Sequence, residues 1–156
     1  MSTQTTLWVE TSHHAAFRVG GWAFVRRDPD GGLSGHAGGE RRVTAERTAL
    51  QALLAALKDV RRPARVLAAA PLILAIPARV AAAQAGEHPP SEDLDLWAQA
   101  MTALSSGGLE IGRTAPGDRT SLFAAAWAEL GRDRAKDKGP FTSAIPKPNL
   151  AKSGAD

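Results

Sequence analysis

Apolar positions recur first with a period of two and later with a period of three to four. Leu7–Thr11 and Gly21–Arg27, rich in Trp, Val and Phe, read as strands. Asp28-Pro29-Asp30-Gly31-Gly32 is a turn signal, and a third strand is expected within Leu33–Val43. Three strands in quick succession predict an antiparallel meander. Helical spacing then takes over at Ala49, Leu50, Leu53, Leu54 and Leu57, with Thr44 as the expected N-cap. Glu46 falls on the core-facing stripe of that helix's first turn, where the helix dipole favours an acid. Arg65–Ala70 reads as a buried strand, and Pro71 opens a helix expected to run to about Ala85. Ser91 is the expected cap of a helix carrying Leu94, Trp97, Met101 and Leu104. Leu109–Arg113 reads as a short strand. Thr120–Gly131 reads as a last helix with Phe123, Ala126, Trp127 and Leu130 on its buried face. The order β-β-β-α-β-α-α-β-α predicts an α/β fold, one mixed five-stranded sheet flanked by helices.

Composition narrows the class. The chain has 156 residues, 44% hydrophobic and 22% charged, which suits one globular domain and excludes wholesale disorder. Cysteine is absent, excluding disulfides, thiolate metal sites and cysteine nucleophiles. The longest apolar stretch, Val66–Ala78, is broken by prolines and too short to span a bilayer, so no membrane association is expected. MSTQTTLWVE lacks the pattern of a signal peptide, which makes a cytoplasmic protein the expectation. Residues 136–156 hold four of the five lysines and three prolines without helical period, and read as a flexible tail after a domain at 1–135. The formal net charge is +3. The tail carries most of that excess, so the body is nearly balanced.

Several strings resemble the bacterial type I ribonuclease H family. Gly20-Gly21-Trp22-Ala23-Phe24-Val25 is similar to its glycine-led second strand, and Ala45-Glu46-Arg47-Thr48-Ala49-Leu50 to the start of its first helix. Asp93-Leu94-Asp95-Leu96-Trp97 resembles its N-x-D-L-W helix start, and Gly112–Asp118 takes the place of its histidine-bearing loop. The match runs from about Leu7 to Arg134 and implies a ribonuclease H-like fold. It also implies hydrolysis of the RNA strand of RNA–DNA hybrids with two Mg²⁺ ions held by four acids, because hard cations take oxygen ligands.

The implied acid positions are only partly filled. The first is Glu10 and the second is Glu46. Ala69-Ala70-Pro71-Leu72 occupies the third, and no acid occurs between Asp59 and Glu87. The fourth falls at Ser121, with Asp118 the nearest acid, and the loop histidine has no counterpart. Glu40-Arg41-Arg42-Val43 replaces the T-T-N-N string that reads the hybrid's minor groove, and the acidic Gly86–Glu92 replaces the basic handle of some members.

The expectation is therefore a degenerate ribonuclease H-like protein that binds RNA–DNA hybrid or another nucleic acid, or a protein partner, without hydrolysis. No cofactor is expected, although Glu10 and Glu46 could hold Mg or Mn at low affinity. Arg26, Arg27, Arg41 and Arg42 flank one hairpin and are candidate phosphate contacts. One alternative is a divergent nuclease using Glu10, Glu46 and Asp118 with one metal. Another is a protein-interaction scaffold with Phe141–Leu150 as its docking peptide. His13 and His14 are expected as an exposed pair rather than metal ligands, and Trp8, Trp22, Trp97 and Trp127 as core residues.

Overall fold

The computed structural model describes residues 3–156. The meander forms as β1 (Thr5–His14), β2 (Val19–Arg27) and β3 (Leu33–Arg41), each antiparallel to the next. Helix α1 (Ala45–Leu57) then carries the chain across to β4 (Ala64–Ala68), parallel to β1. Thr44 caps α1 as expected, accepting from the Arg47 amide. Next come α2 (Pro71–Leu74), α3 (Ile76–Gln84), α4 (Leu94–Ser105), β5 (Leu109–Arg113) and α5 (Arg119–Lys138).

The chain continues beyond the expected elements. β6 (Phe141–Ala144) pairs antiparallel with β3, and α6 (Lys147–Leu150) follows. The sheet therefore has six strands rather than five, in the order β5-β4-β1-β2-β3-β6. The expectation of a flexible tail from residue 136 is corrected here. Ile145, Leu150 and Ala155 are buried in the core beneath α5, and the Lys147 ammonium donates to the Leu33 carbonyl. The apolar residues of the anticipated docking peptide Phe141–Leu150 are thus largely spent on the chain's own fold.

Two apolar layers follow from the alternation along the strands. Leu7, Val9, Trp22, Phe24 and Val66 face α1 and α4, while Trp8, Ala23, Val25 and Ala37 face α5. Trp8, Trp22 and Trp97 are buried as expected, and Trp127 is half-buried. Three local expectations change. The helix begun at Pro71 breaks at Ala75, because Pro77 has no amide to donate and crowds the preceding turn. The cap of α4 is Asp93 in a left-handed conformation, not Ser91, and its carboxylate pairs with Arg47. Helix α5 turns inward Thr120, Ser121, Ala124, Ala128, Gly131 and Ala135 rather than its bulky residues, and Leu130 is 57% exposed.

That last change has a steric cause. α5 lies against glycines of β2 and β3 so closely that a Cβ on Gly21 would sit 2.1 Å from the Ala128 carbonyl oxygen. One on Gly131 would sit 2.4 Å from the Gly38 oxygen. Only small residues fit between such surfaces. Among the described residues, no helix is long and apolar enough to cross a membrane. Because Leu150 is fully enclosed, Leu150→Ala is expected to lower stability by about 2–5 kcal/mol. Urea unfolding checks this, and a midpoint equal to that of the parent chain would contradict the docked C-terminal segment.

Candidate functional site

Strand parity turns the Glu10 side chain to the α5 face, where β1, the end of β4 and the start of α5 meet. Glu10 is only 3% exposed. The Ala69 amide donates to both carboxylate oxygens at 3.1 and 2.9 Å, and the Ala70 amide donates at 3.0 Å. The Ser121 hydroxyl donates a further, short bond. Positions 69–70 and 121 are those at which the resemblance implies the third and fourth acids. In this chain they supply donors to the first acid instead. Burial pushes the Glu10 carboxyl above its ordinary range, the hydrogen bonds from Ser121, Ala69 and Ala70 oppose this, and the Asp118 charge adds to the rise. Asp118 itself caps α5, accepting from the Ser121 amide at 2.8 Å.

Glu46 is partly exposed on α1 and forms an ion pair with Arg79 of α3 at 2.6 Å. The Arg79 guanidinium also stacks over the Trp97 ring at 4.4 Å, so a helix-borne cation is already fixed against this acid. Arg79 escaped the sequence reading. Its signal was present, the one charged residue of its helix, but its partner lies on another element. Glu10 and Asp118 come together, whereas Glu46 is engaged elsewhere. Among the described residues, no three His, Asp or Glu side chains converge as a metal-ligating group. A two-Mg²⁺ centre does not fit this arrangement, since both oxygens of Glu10 are bonded within the protein and Glu46 holds a guanidinium.

The remaining candidates divide by employment. Arg27 donates to the Ala155 carbonyl and lies over the Trp8 ring, and Arg41 donates to the carbonyls of Ala135 and Lys136 at the end of α5. Arg26 pairs with Asp28 at 3.4 Å. Arg42 is exposed, in a left-handed conformation. His13 is half-buried and bonded to the Val43 carbonyl, while His14 is exposed and stacks on Phe17.

Phe17, unnoticed in the sequence, is 59% exposed at the β1–β2 turn. The Lys136 ammonium sits 3.8 Å from its ring centre. Arg18 is next to it, and the Arg18 carbonyl accepts from the Val43 amide just after Arg42. Arg132 reaches the same end of the sheet, donating to Ser12 on β1. Three segments distant in sequence therefore gather an exposed ring among Arg18, Arg41, Arg42, Arg132 and Lys136.

The architecture is a ribonuclease H-like fold, a mixed sheet flanked by helices. It is similar to the N-terminal RNase H domain of Rv2228c from Mycobacterium tuberculosis, solved as a fusion with maltose binding protein. The TM-score is 0.65 at 16% identity, over 87% of this chain and 98% of that one. No protein-family model matches the chain, and no curated protein matches it.

The raised Glu10 carboxyl fixes a sign. Its folded state holds the proton more tightly than the unfolded state, whose carboxyl titrates near the ordinary 4.5. Its contribution to stability is fully present below that value and is lost as pH rises through the folded-state value. Relative to Glu10→Gln, which has no such titration, the parent chain should therefore lose stability as pH climbs from about 4 towards neutrality. Paired urea titrations across this range check it. A parent chain that gains on the variant with rising pH would reverse the assignment.

Proposed function

We propose that this chain is a non-hydrolytic nucleic-acid-binding protein, descended from bacterial type I ribonuclease H and working in the cytoplasm. The observation that carries the first half is the engagement of Glu10 by donors from the two positions where metal-holding acids are implied. A carboxylate so enclosed offers no open oxygen to a cation, and Glu46 is neutralised by Arg79. Acids held in this way support a structural role better than a single-metal nuclease.

The binding half rests on the Phe17 patch. An exposed ring among cations suits nucleic acid, because the charges neutralise phosphates while the ring stacks on a base without regard to sequence. Of the four arginines singled out from the sequence, Arg42 has the freest guanidinium for a phosphate. Arg41 adds its charge while its donors hold the end of α5.

Purified protein with labelled RNA–DNA hybrid, and with single-stranded RNA, tests both halves. In millimolar Mg²⁺ or Mn²⁺ no cleavage is expected, and metal leaves the melting temperature unchanged. Hydrolysis abolished by Glu46→Gln would overturn the non-hydrolytic reading. Binding should weaken with salt at a log–log slope of about −3, the effect of neutralising roughly four phosphates. Phe17→Ala should weaken it roughly 5- to 100-fold, the worth of one base–aromatic stack. Absence of binding at low salt, or binding indifferent to both Phe17→Ala and Arg42→Ala, would overturn the assignment of the patch.

A further inference from the structure

Helix α5 stands on its face of the sheet packed against β1, β2 and β3, with its small residues inward. Its opposite side consequently carries apolar residues that the fold does not use. Leu122 and Leu130 are 62% and 57% exposed, and Ala126 between them is exposed as well. Spaced four apart, the three lie in one row along the helix, on the side away from the sheet. Phe123 and Trp127 widen the row on one flank, both half-buried. Bulky leucines left mostly exposed on an outward row form an apolar ridge in water.

The row is self-complementary. A two-fold axis through Ala126, with two copies of α5 antiparallel, places Leu122 of one copy against Leu130 of the other. The same axis brings Arg119 opposite Asp133, since both stand seven residues from Ala126. Both are exposed, and Asp133 is 61% accessible even while paired with its neighbour Arg132. Among the described residues the Arg119 guanidinium makes only a long 3.4 Å bond, to the Lys152 carbonyl. Alanine at the axis lets two helices approach closely, and leucines on either side fill the seam. Opposite charges at each end favour the antiparallel orientation over the parallel one, which would set like charges together. An isologous contact of this kind closes at two subunits.

We propose that α5 is a self-association surface, through which a second copy of this chain pairs antiparallel about Ala126 with Arg119–Asp133 ion pairs at both ends. The partner is another copy because one short ridge supplies both halves of the apolar and the ionic match. The inference does not depend on nucleic-acid binding, and it is tested without nucleic acid.

Sedimentation equilibrium of the full chain, from micromolar to about millimolar, reads the association. The expected mass moves from 16.3 kDa towards twice that value as concentration rises. Leu122→Asp, on an exposed position, should hold the mass at 16.3 kDa throughout while leaving thermal unfolding unchanged. Arg119→Asp should weaken association about tenfold by opposing two carboxylates, and adding Asp133→Arg should restore it. A parent chain that stays monomeric at millimolar concentration overturns the proposal. So does a dimer that survives Leu122→Asp, and a charge swap that restores nothing overturns the antiparallel register on which it rests.

Discussion

The junction of β1, the end of β4 and the start of α5 depends on one buried carboxylate. Glu10 would cost several kcal/mol to enclose without partners, because a desolvated charge or even a lone polar group is expensive in an apolar setting. Its oxygens therefore have to be met, and meeting them draws in the end of β4 through the Ala69 and Ala70 amides and the start of α5 through Ser121. Three elements remote in sequence are tied at one point. Asp118 then takes the Ser121 amide, so the hydroxyl donating to Glu10 and the amide capping α5 belong to one residue. Burial first, and to a smaller degree the nearby Asp118 charge, make Glu10 hold its proton more tightly than usual.

Charge is settled locally across the helices as well. Arg79 lies between Glu46 and the Trp97 face, and Arg47 spans Asp93 and Asp95 at the head of α4. Arg47 holds the Asp95 carboxyl below its ordinary range. Guanidinium is suited to such places because it stays charged, presents a planar fork and stacks on rings. A divalent ion at a Glu46-centred site would have to displace one of these fixed cations. Glu46 thus differs from Glu10, being held by an arginine side chain where Glu10 is held by main-chain amides and a hydroxyl.

Much of this was legible in the residues, and the illegible part has physical causes. The absence of acid at Ala69-Ala70 and at Ser121 could be read directly, and so could the meander, α1 and its Thr44 cap. Main-chain donors could not be read, because every residue has an amide and only the fold says which two point at Glu10. The face of α5 was misread because hydrophobicity ranks Leu130 above Gly131, whereas a helix pressed to within a few ångströms of Gly21 and Gly39 selects for size. The C-terminal segment misled through its prolines and lysines. Its sparse Ile145 and Leu150 suffice to dock it once β6 has an edge of β3 to pair with. Phe17 gave no periodic signal, being a turn residue whose ring meets His14 at the end of β1 and Lys136 of α5.

Net charge was a poor guide for the same reason. Dividing +3 between a balanced body and a basic tail treated the two as separate objects, yet Lys136 is still helical and rests on Phe17, and Lys147 is fastened to Leu33. The field a ligand meets is set by which charges share a face. Arg18, Arg42, Arg132 and Lys136 come from three segments, and the topology gathers them at the end of the sheet where β1 turns into β2. Of the nearby acids, Asp133 pairs with Arg132 and stays largely exposed, and Glu40 accepts from the Gln51 amide. A chain of modest net charge can therefore present a concentrated positive face beside an aromatic ring, while Glu10 is held by hydrogen bonds and Glu46 by Arg79. That division of charge follows from a ribonuclease H-like fold whose topology, rather than its local sequence, decides which charges share a face.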